Sequence, residues 1–153
     1  MSRPWLAFFA FLALVLPLPA LAQSPVEITS DTFVMNEAVR EAVFTGTVVV
    51  KHPTVTVYAP KVVATYGEGG TSDIETFEAS GGNVRLLTKD QDATGDRAVF
   101  TPADQLLRLT GNVTVVNAGG TVASNELVVN LATNVSTFTS SQGGRVTGVF
   151  TSQ

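Results

Sequence analysis

Phe44-Thr45-Gly46-Thr47-Val48-Val49-Val50 and Leu109-Thr110-Gly111-Asn112-Val113-Thr114-Val115 carry one pattern, a glycine set among residues that alternate between apolar and polar. Alternation of that kind belongs to a strand with one buried face, because successive side chains of a strand point to opposite sides. Two looser copies follow the same scheme, Ser80-Gly81-Gly82-Asn83-Val84-Arg85-Leu86 and Gly143-Gly144-Arg145-Val146-Thr147-Gly148-Val149-Phe150. Gly46, Gly82, Gly111 and Gly144 stand 36, 29 and 33 residues apart. A second mark, a turn-forming residue leading an apolar pair, interleaves with the first at Asp31, Pro60, Asp96 and Asn125, with spacings of 29, 36 and 29. A repeat of this period sets the architecture ahead of any local motif. It predicts four units of roughly two strands each, joined by turns such as Tyr66-Gly67-Glu68-Gly69-Gly70 and Asn117-Ala118-Gly119-Gly120.

Even steps from the glycines reach Phe44, Val48 and Val50, then Val84 and Leu86, then Leu107, Leu109, Val113 and Val115, then Val146 and Phe150. The same count from the second mark reaches Phe33, Met35, Val62, Ala64, Tyr66, Ala98, Phe100, Leu127, Val129 and Leu131. Odd steps reach Thr47, Val49, Lys51, Asn83, Arg85, Leu87, Asn112, Thr114, Val116, Arg145 and Thr147, with Lys61, Arg97 and Glu126 from the second mark, a mostly polar or amphipathic set. Every predicted strand therefore has one apolar face. Sheets whose apolar faces meet make a sandwich or a rolled barrel, and a roll left open has end strands able to pair with another chain. The bland function of these side chains is to fill a core.

The chain has 153 residues, of which 44% are apolar, but the first 22 differ from the rest. Arg3, an uncharged stretch from Trp5 to Leu16, and Ala20-Leu21-Ala22 have the order of a secretory signal peptide, with cleavage expected after Ala22. A retained membrane anchor is the alternative, although Pro17 and Pro19 interrupt the apolar run. The expected organisation is thus a leader over 1–22 and one β domain over 23–153. That domain contains 22 Val and 20 Thr against 7 Leu, a balance that favours strands over helices. With Arg3 removed it carries 13 acids and 8 bases with no basic cluster, which argues against nucleic acid as a partner. The absence of cysteine excludes disulfides and thiol chemistry, so core and ladder hold the fold.

No constellation for catalysis emerges. His52 is the only histidine and sits beside Pro53, reading as a surface turn residue, so a Ser-His-Asp arrangement or multi-histidine metal site is unsupported. Asp90, Asp92 and Asp96 alternate as in a calcium loop but lack its sixth-position glycine and closing glutamate, and read as a solvated hairpin. Asp73, Glu75 and Glu78 read as a solvent-facing edge, and Gly67-Glu68-Gly69-Gly70 lacks the context of a phosphate loop. The expectation is a non-enzymatic module without metal or cofactor.

Ile28-Thr29-Ser30-Asp31, Phe44 to Val50, Thr94-Gly95-Asp96-Arg97-Ala98-Val99-Phe100 and Leu109 to Val115, behind an export leader, resemble the LptA/OstA family of periplasmic lipopolysaccharide-transport proteins. The likeness runs from about Val26 to Phe150. It implies an open, twisted β-jellyroll that stacks head to tail in the periplasm of a Gram-negative bacterium. Such a stack would join an inner-membrane LptC-like protein to an outer-membrane LptD-like translocon, with the acyl chains of lipid A sheltered inside. Under that resemblance the residues expected to line the lipid path, taken from strand parity, are Phe33, Met35, Phe44, Val48 and Val50 from the first unit and Val62, Val84 and Leu86 from the second. Phe100, Leu109, Val113, Val115, Leu127, Val129 and Val146 complete the set. Two other readings remain open: a membrane-anchored LptC-like component, and a structural β-repeat module with a dry core.

Overall fold

The computed structural model describes residues 26–141 and 144–151. The expected leader over 1–22 lies outside the described residues. Twelve strands follow in order: β1 (Glu27–Thr29), β2 (Thr32–Asn36), β3 (Glu41–Lys51), β4 (Thr56–Tyr66), β5 (Ile74–Ser80), β6 (Val84–Leu87), β7 (Gln91–Gly95), β8 (Arg97–Thr101), β9 (Leu106–Asn117), β10 (Gly120–Asn130), β11 (Val135–Thr139) and β12 (Thr147–Phe150). A single 3-10 turn, Gly70–Ser72, precedes β5. Every strand pairing is antiparallel.

Four strands, β3, β4, β9 and β10, are 11 or 12 residues long, and each changes partner midway. β3 pairs with β2 over its first half and with β1 over its second. β4 does the same with β5 and β6, β9 with β8 and β7, and β10 with β11 and β12. The sheet therefore has two halves of eight strand positions each, one ordered β2-β3-β4-β5-β8-β9-β10-β11 and the other β1-β3-β4-β6-β7-β9-β10-β12. One continuous core contains Val62, Leu109 and Leu127 from the first half together with Val50, Leu86 and Val115 from the second. The sheet has thus folded on itself, apolar face inward, as an open two-layered roll.

The repeat marks coincide with the fold line. Asp31 lies between β1 and β2, Asp96 between β7 and β8, and Pro60, Gly46, Gly111 and Asn125 lie within long strands. At Gly46 and Gly111 a single long strand runs through the glycine and bends. The cause is an extra residue: the register shifts between Thr45 and Val48 and again between Ser124 and Glu126, at Gly46-Thr47 and opposite Gly111-Asn112. Gly46 and Gly111 take φ of +87° and +80°, and Thr47 and Asn112 follow at +43° and +49°. A left-handed glycine opening a bulge is a known device for bending and twisting a strand. The fourth glycine mark does not share this role, since Gly144 to Val146 form no strand and β12 begins only at Thr147.

Burial follows the parity count in the middle of the roll but not at its ends, where Phe33, Met35, Val146 and Phe150 are exposed. Leu109, Leu127, Val48, Val62, Val84, Val113 and Val115 are the largest fully buried side chains. Each contributes about 1.5–3 kcal/mol relative to an exposed position. No buried side-chain nitrogen or oxygen among the described residues lacks a hydrogen-bond partner. The open edges are β1 and β2 at one end of the roll and β11 and β12 at the other.

Candidate functional site

Cross-strand register arranges the interior in rows that run from edge to edge. The first row reads Phe33, Phe44, Val62, Ala79, Ala98, Leu109, Leu127, Phe138. The second reads Met35, Ala42, Ala64, Phe77, Phe100, Leu107, Val129, Ser136. In the opposing half a third row reads Ile28, Val50, Val57, Leu86, Ala93, Val115, Val122, Gly148. Side-chain size along the rows decides where the roll is closed. Large aliphatic residues meet at Leu109, Leu127, Val113 and Val115, and the interior there is packed shut.

At the β1/β2 end the second row places two alanines side by side, Ala42 and Ala64, between Met35 and Phe77. The missing volume leaves a cleft of about 940 Å³. Its walls are Phe33, Phe44, Phe77 and Phe100 with Met35, Ile28 and Ile74. The aromatics stand in two stacks, Phe33 on Phe44 with ring centroids 4.8 Å apart and Phe77 on Phe100 at 6.3 Å. An inner chamber of about 50 Å³ continues from it, bounded by Val50, Val57, Val62 and Leu107. Polar groups, Thr54, Thr71, Ser72, Asp73 and Gln105, mark the rim of the cleft, and no lysine or arginine among the described residues lines it. Loosely packed aromatic and alanine surface facing a wide opening suits an extended apolar ligand.

The residues expected to line a lipid path divide into three groups. Phe33 and Met35 are exposed and Phe44 and Phe100 half-buried, all four on the cleft. Val48, Val84, Leu86, Leu109, Val113, Val115 and Leu127 are buried away from both cavities, Val50 and Val62 reach only the inner chamber, and Val129 packs on the core. Val146 lies exposed ahead of β12 and touches neither cavity. Phe77, Ala42 and His52 line the cleft without having been singled out. Phe77 shares a face with Ala79 on β5, a strand hidden in the sequence by its two acids, Glu75 and Glu78. Ala42 is a further even step before Phe44, but an alanine does not advertise a cavity.

His52 lies in a turn as expected, but it is half-buried and also lines the cleft. The turn from His52 to Val55 joins β3 to β4 through paired backbone bonds of 2.9 and 3.2 Å, and the half-buried ring faces both cavities. Its centroid is 6.4 Å from that of Phe100.

The charged side chains pair on the outside. Arg97 Nε donates to Glu78 at 2.8 Å, and Arg85 donates to both oxygens of Asp92 at 2.8 and 2.6 Å. Those hydrogen bonds hold the Glu78 and Asp92 carboxyls below the usual carboxylate range. Among the described residues no group of three His, Cys, Asp or Glu side chains is placed to hold a metal.

Comparison with known proteins agrees with this architecture. The crystal structure of LptH from Pseudomonas aeruginosa, described as the LptA-homologous periplasmic component of the lipopolysaccharide transport device, superposes with a TM-score of 0.73. The match covers 84% of this chain and 96% of that one at 17% identity, a likeness of fold, so the roll is a β-jellyroll of the LptA kind. An uncharacterised protein of Rhizobium meliloti (strain 1021) is 32% identical over 104 residues, covering 64% of this chain. The chain spans 55% of that relative's length. The family model for LptA and the LptD N-terminal domain, lipopolysaccharide transport proteins, matches residues 27–135, from β1 to the start of β11. The chain therefore belongs to the LptA/LptD N-terminal-domain family of lipopolysaccharide transport proteins.

Proposed function

We propose that this protein is a non-enzymatic periplasmic carrier of lipopolysaccharide that holds acyl chains of lipid A in the cleft between the Phe33–Phe44 and Phe77–Phe100 stacks. The cleft itself carries the reading: an apolar opening of about 940 Å³ at one open end of a roll in which Val113, Val115, Leu109 and Leu127 are fully buried. An acyl chain of a dozen methylenes costs roughly 10 kcal/mol to expose to water, at about 0.8 kcal/mol per methylene. Apolar walls without a tight ionic anchor lower that barrier and still permit release.

The two open edges support head-to-tail assembly. β2 offers Val34 and Met35 with 59% and 43% of their surface exposed, and β11 offers Val135 at 56%. Pairing of β1/β2 on one subunit with β11/β12 on the next would extend both halves of the sheet and continue the interior rows. The partners at the ends of such a stack are proposed to be an LptC-like inner-membrane protein and an LptD-like outer-membrane protein, reached after cleavage of the leader at Ala22. Mass spectrometry of the protein purified from its own cell envelope tests this reading. It should find a mature N-terminus at Gln23 and co-purified lipopolysaccharide, and a lipid-free protein from a lipopolysaccharide-rich envelope would contradict it.

A further inference from the structure

One polar ring stands inside the apolar walls. Thr54 N–H donates to His52 Nδ1 at 3.2 Å, and Thr54 Oγ1 lies 2.9 Å from the same nitrogen. A backbone N–H cannot accept, so Nδ1 is the acceptor and, in the neutral ring, the proton resides on Nε2. Nε2 has no partner among the described residues and is accessible to solvent, on a residue that lines both cavities. The ring is at the junction of the cleft with the inner chamber, against Phe100 on one side and near the polar rim on the other.

Resting on the carrier reading above, we propose that His52 Nε2–H donates a hydrogen bond to the carbonyl oxygen of an acyl ester or amide, and so fixes how deeply an acyl chain enters the cleft. An acyl carbonyl is the polar atom at the point where a hydrocarbon chain joins its headgroup. That is the boundary His52 occupies, between Phe100 and rim groups such as Thr54 and Gln105. The acceptor is uncharged because Asp73 on the same rim repels phosphate. A donor that a bound chain covers discriminates between ligands that accept its bond and analogues that do not, because the unmatched donor loses its water without gaining a partner.

The test compares a long-chain acyl ester of glucose with the alkyl ether of equal chain length, each titrated into the full chain. The wild type should bind the ester about five- to tenfold more tightly, the worth of one hydrogen bond. His52→Phe, which retains a ring against Phe100 but removes the donor, should lose the ester preference and bind ester and ether alike, in a protein that a thermal melt shows to be folded. A phosphate added to the sugar should shift affinity equally in wild type and variant. Equal binding of ester and ether by the wild type, an ester preference that survives His52→Phe, or a phosphate effect confined to the wild type would overturn the proposal. Failure of the wild type to bind either probe would instead overturn the carrier reading on which it rests.

Discussion

Asp96 and Gly111 close the fold line of the roll. The Asp96 backbone N–H donates to the Gly111 carbonyl at 2.9 Å, and a Cβ placed on Gly111 would come within 2.8 Å of the Asp96 Cβ. Asp31 and Gly46 repeat the arrangement in the first unit, with a backbone bond of 3.0 Å and the same 2.8 Å encounter. The two sequence marks are therefore the two sides of one contact, copied along the spine. Gly111→Ala should be destabilised by about 2–4 kcal/mol, combining left-handed backbone strain with the Asp96 clash, as read by urea unfolding. A cost below about 0.5 kcal/mol would mean that the bulge relaxes freely.

The dry and open parts of the interior should respond to substitution in opposite ways. Leu109→Ala removes a fully buried side chain from the closed region and should cost about 2–5 kcal/mol. Ala64→Leu projects new volume toward the cleft and should cost less than about 1.5 kcal/mol while weakening binding of a long-chain fatty-acyl probe at least about tenfold. Thermal melts and probe titrations of both variants separate the two effects.

Acid should weaken the fold through Glu78 and Asp92. Hydrogen bonds from Arg97 and Arg85 lower these carboxyls in the folded state, so their contribution is complete above the unfolded carboxylate range. It is lost as pH falls through the depressed folded values, below about pH 4. The Glu78 side chain is 38% exposed, so the Arg97 pair is screened and is worth only a few tenths of a kcal/mol. Glu78→Gln should flatten the acid limb of the stability profile slightly and leave stability at pH 7 within about 0.5 kcal/mol.

Assembly through sheet edges should be sensitive to charge on β2. Val34→Lys places a lysine on an exposed edge strand, a device that blocks strand addition. Light scattering across a concentration series should show the variant remaining smaller than the wild type, with an unchanged melting temperature. An identical size distribution would argue that β2 is not a joining edge.

Much of this fold is legible in the sequence because a folded sheet has the simplest of periodicities. Parity from Gly46 and Gly111 identified Val48, Val50, Val113 and Val115 as inward, and all four are buried. The site was less legible, because a cleft arises where volume is missing. Nothing local distinguishes Ala42 and Ala64 from Ala79 and Ala98, yet the first two line the cleft and the second two only the small inner chamber. Phe77 was hidden by Glu75 and Glu78, which made β5 read as a solvated edge. His52 was read from Pro53 beside it, and the register of β1 against β3 that brings it to the cleft is a long-range property.

The central claim is that acyl chains occupy the open end of the roll and not its packed interior. Photo-crosslinking side chains placed singly at Phe44, Phe100, Val113 and Tyr58 in cells test it most directly. Phe44 and Phe100 line the cleft, Val113 is sealed in the core, and Tyr58 is exposed outside both cavities. Lipopolysaccharide adducts are expected at Phe44 and Phe100 and none at Tyr58 or Val113. Adducts at Tyr58 alone, or none at the two phenylalanine positions in a protein that still folds, would contradict it.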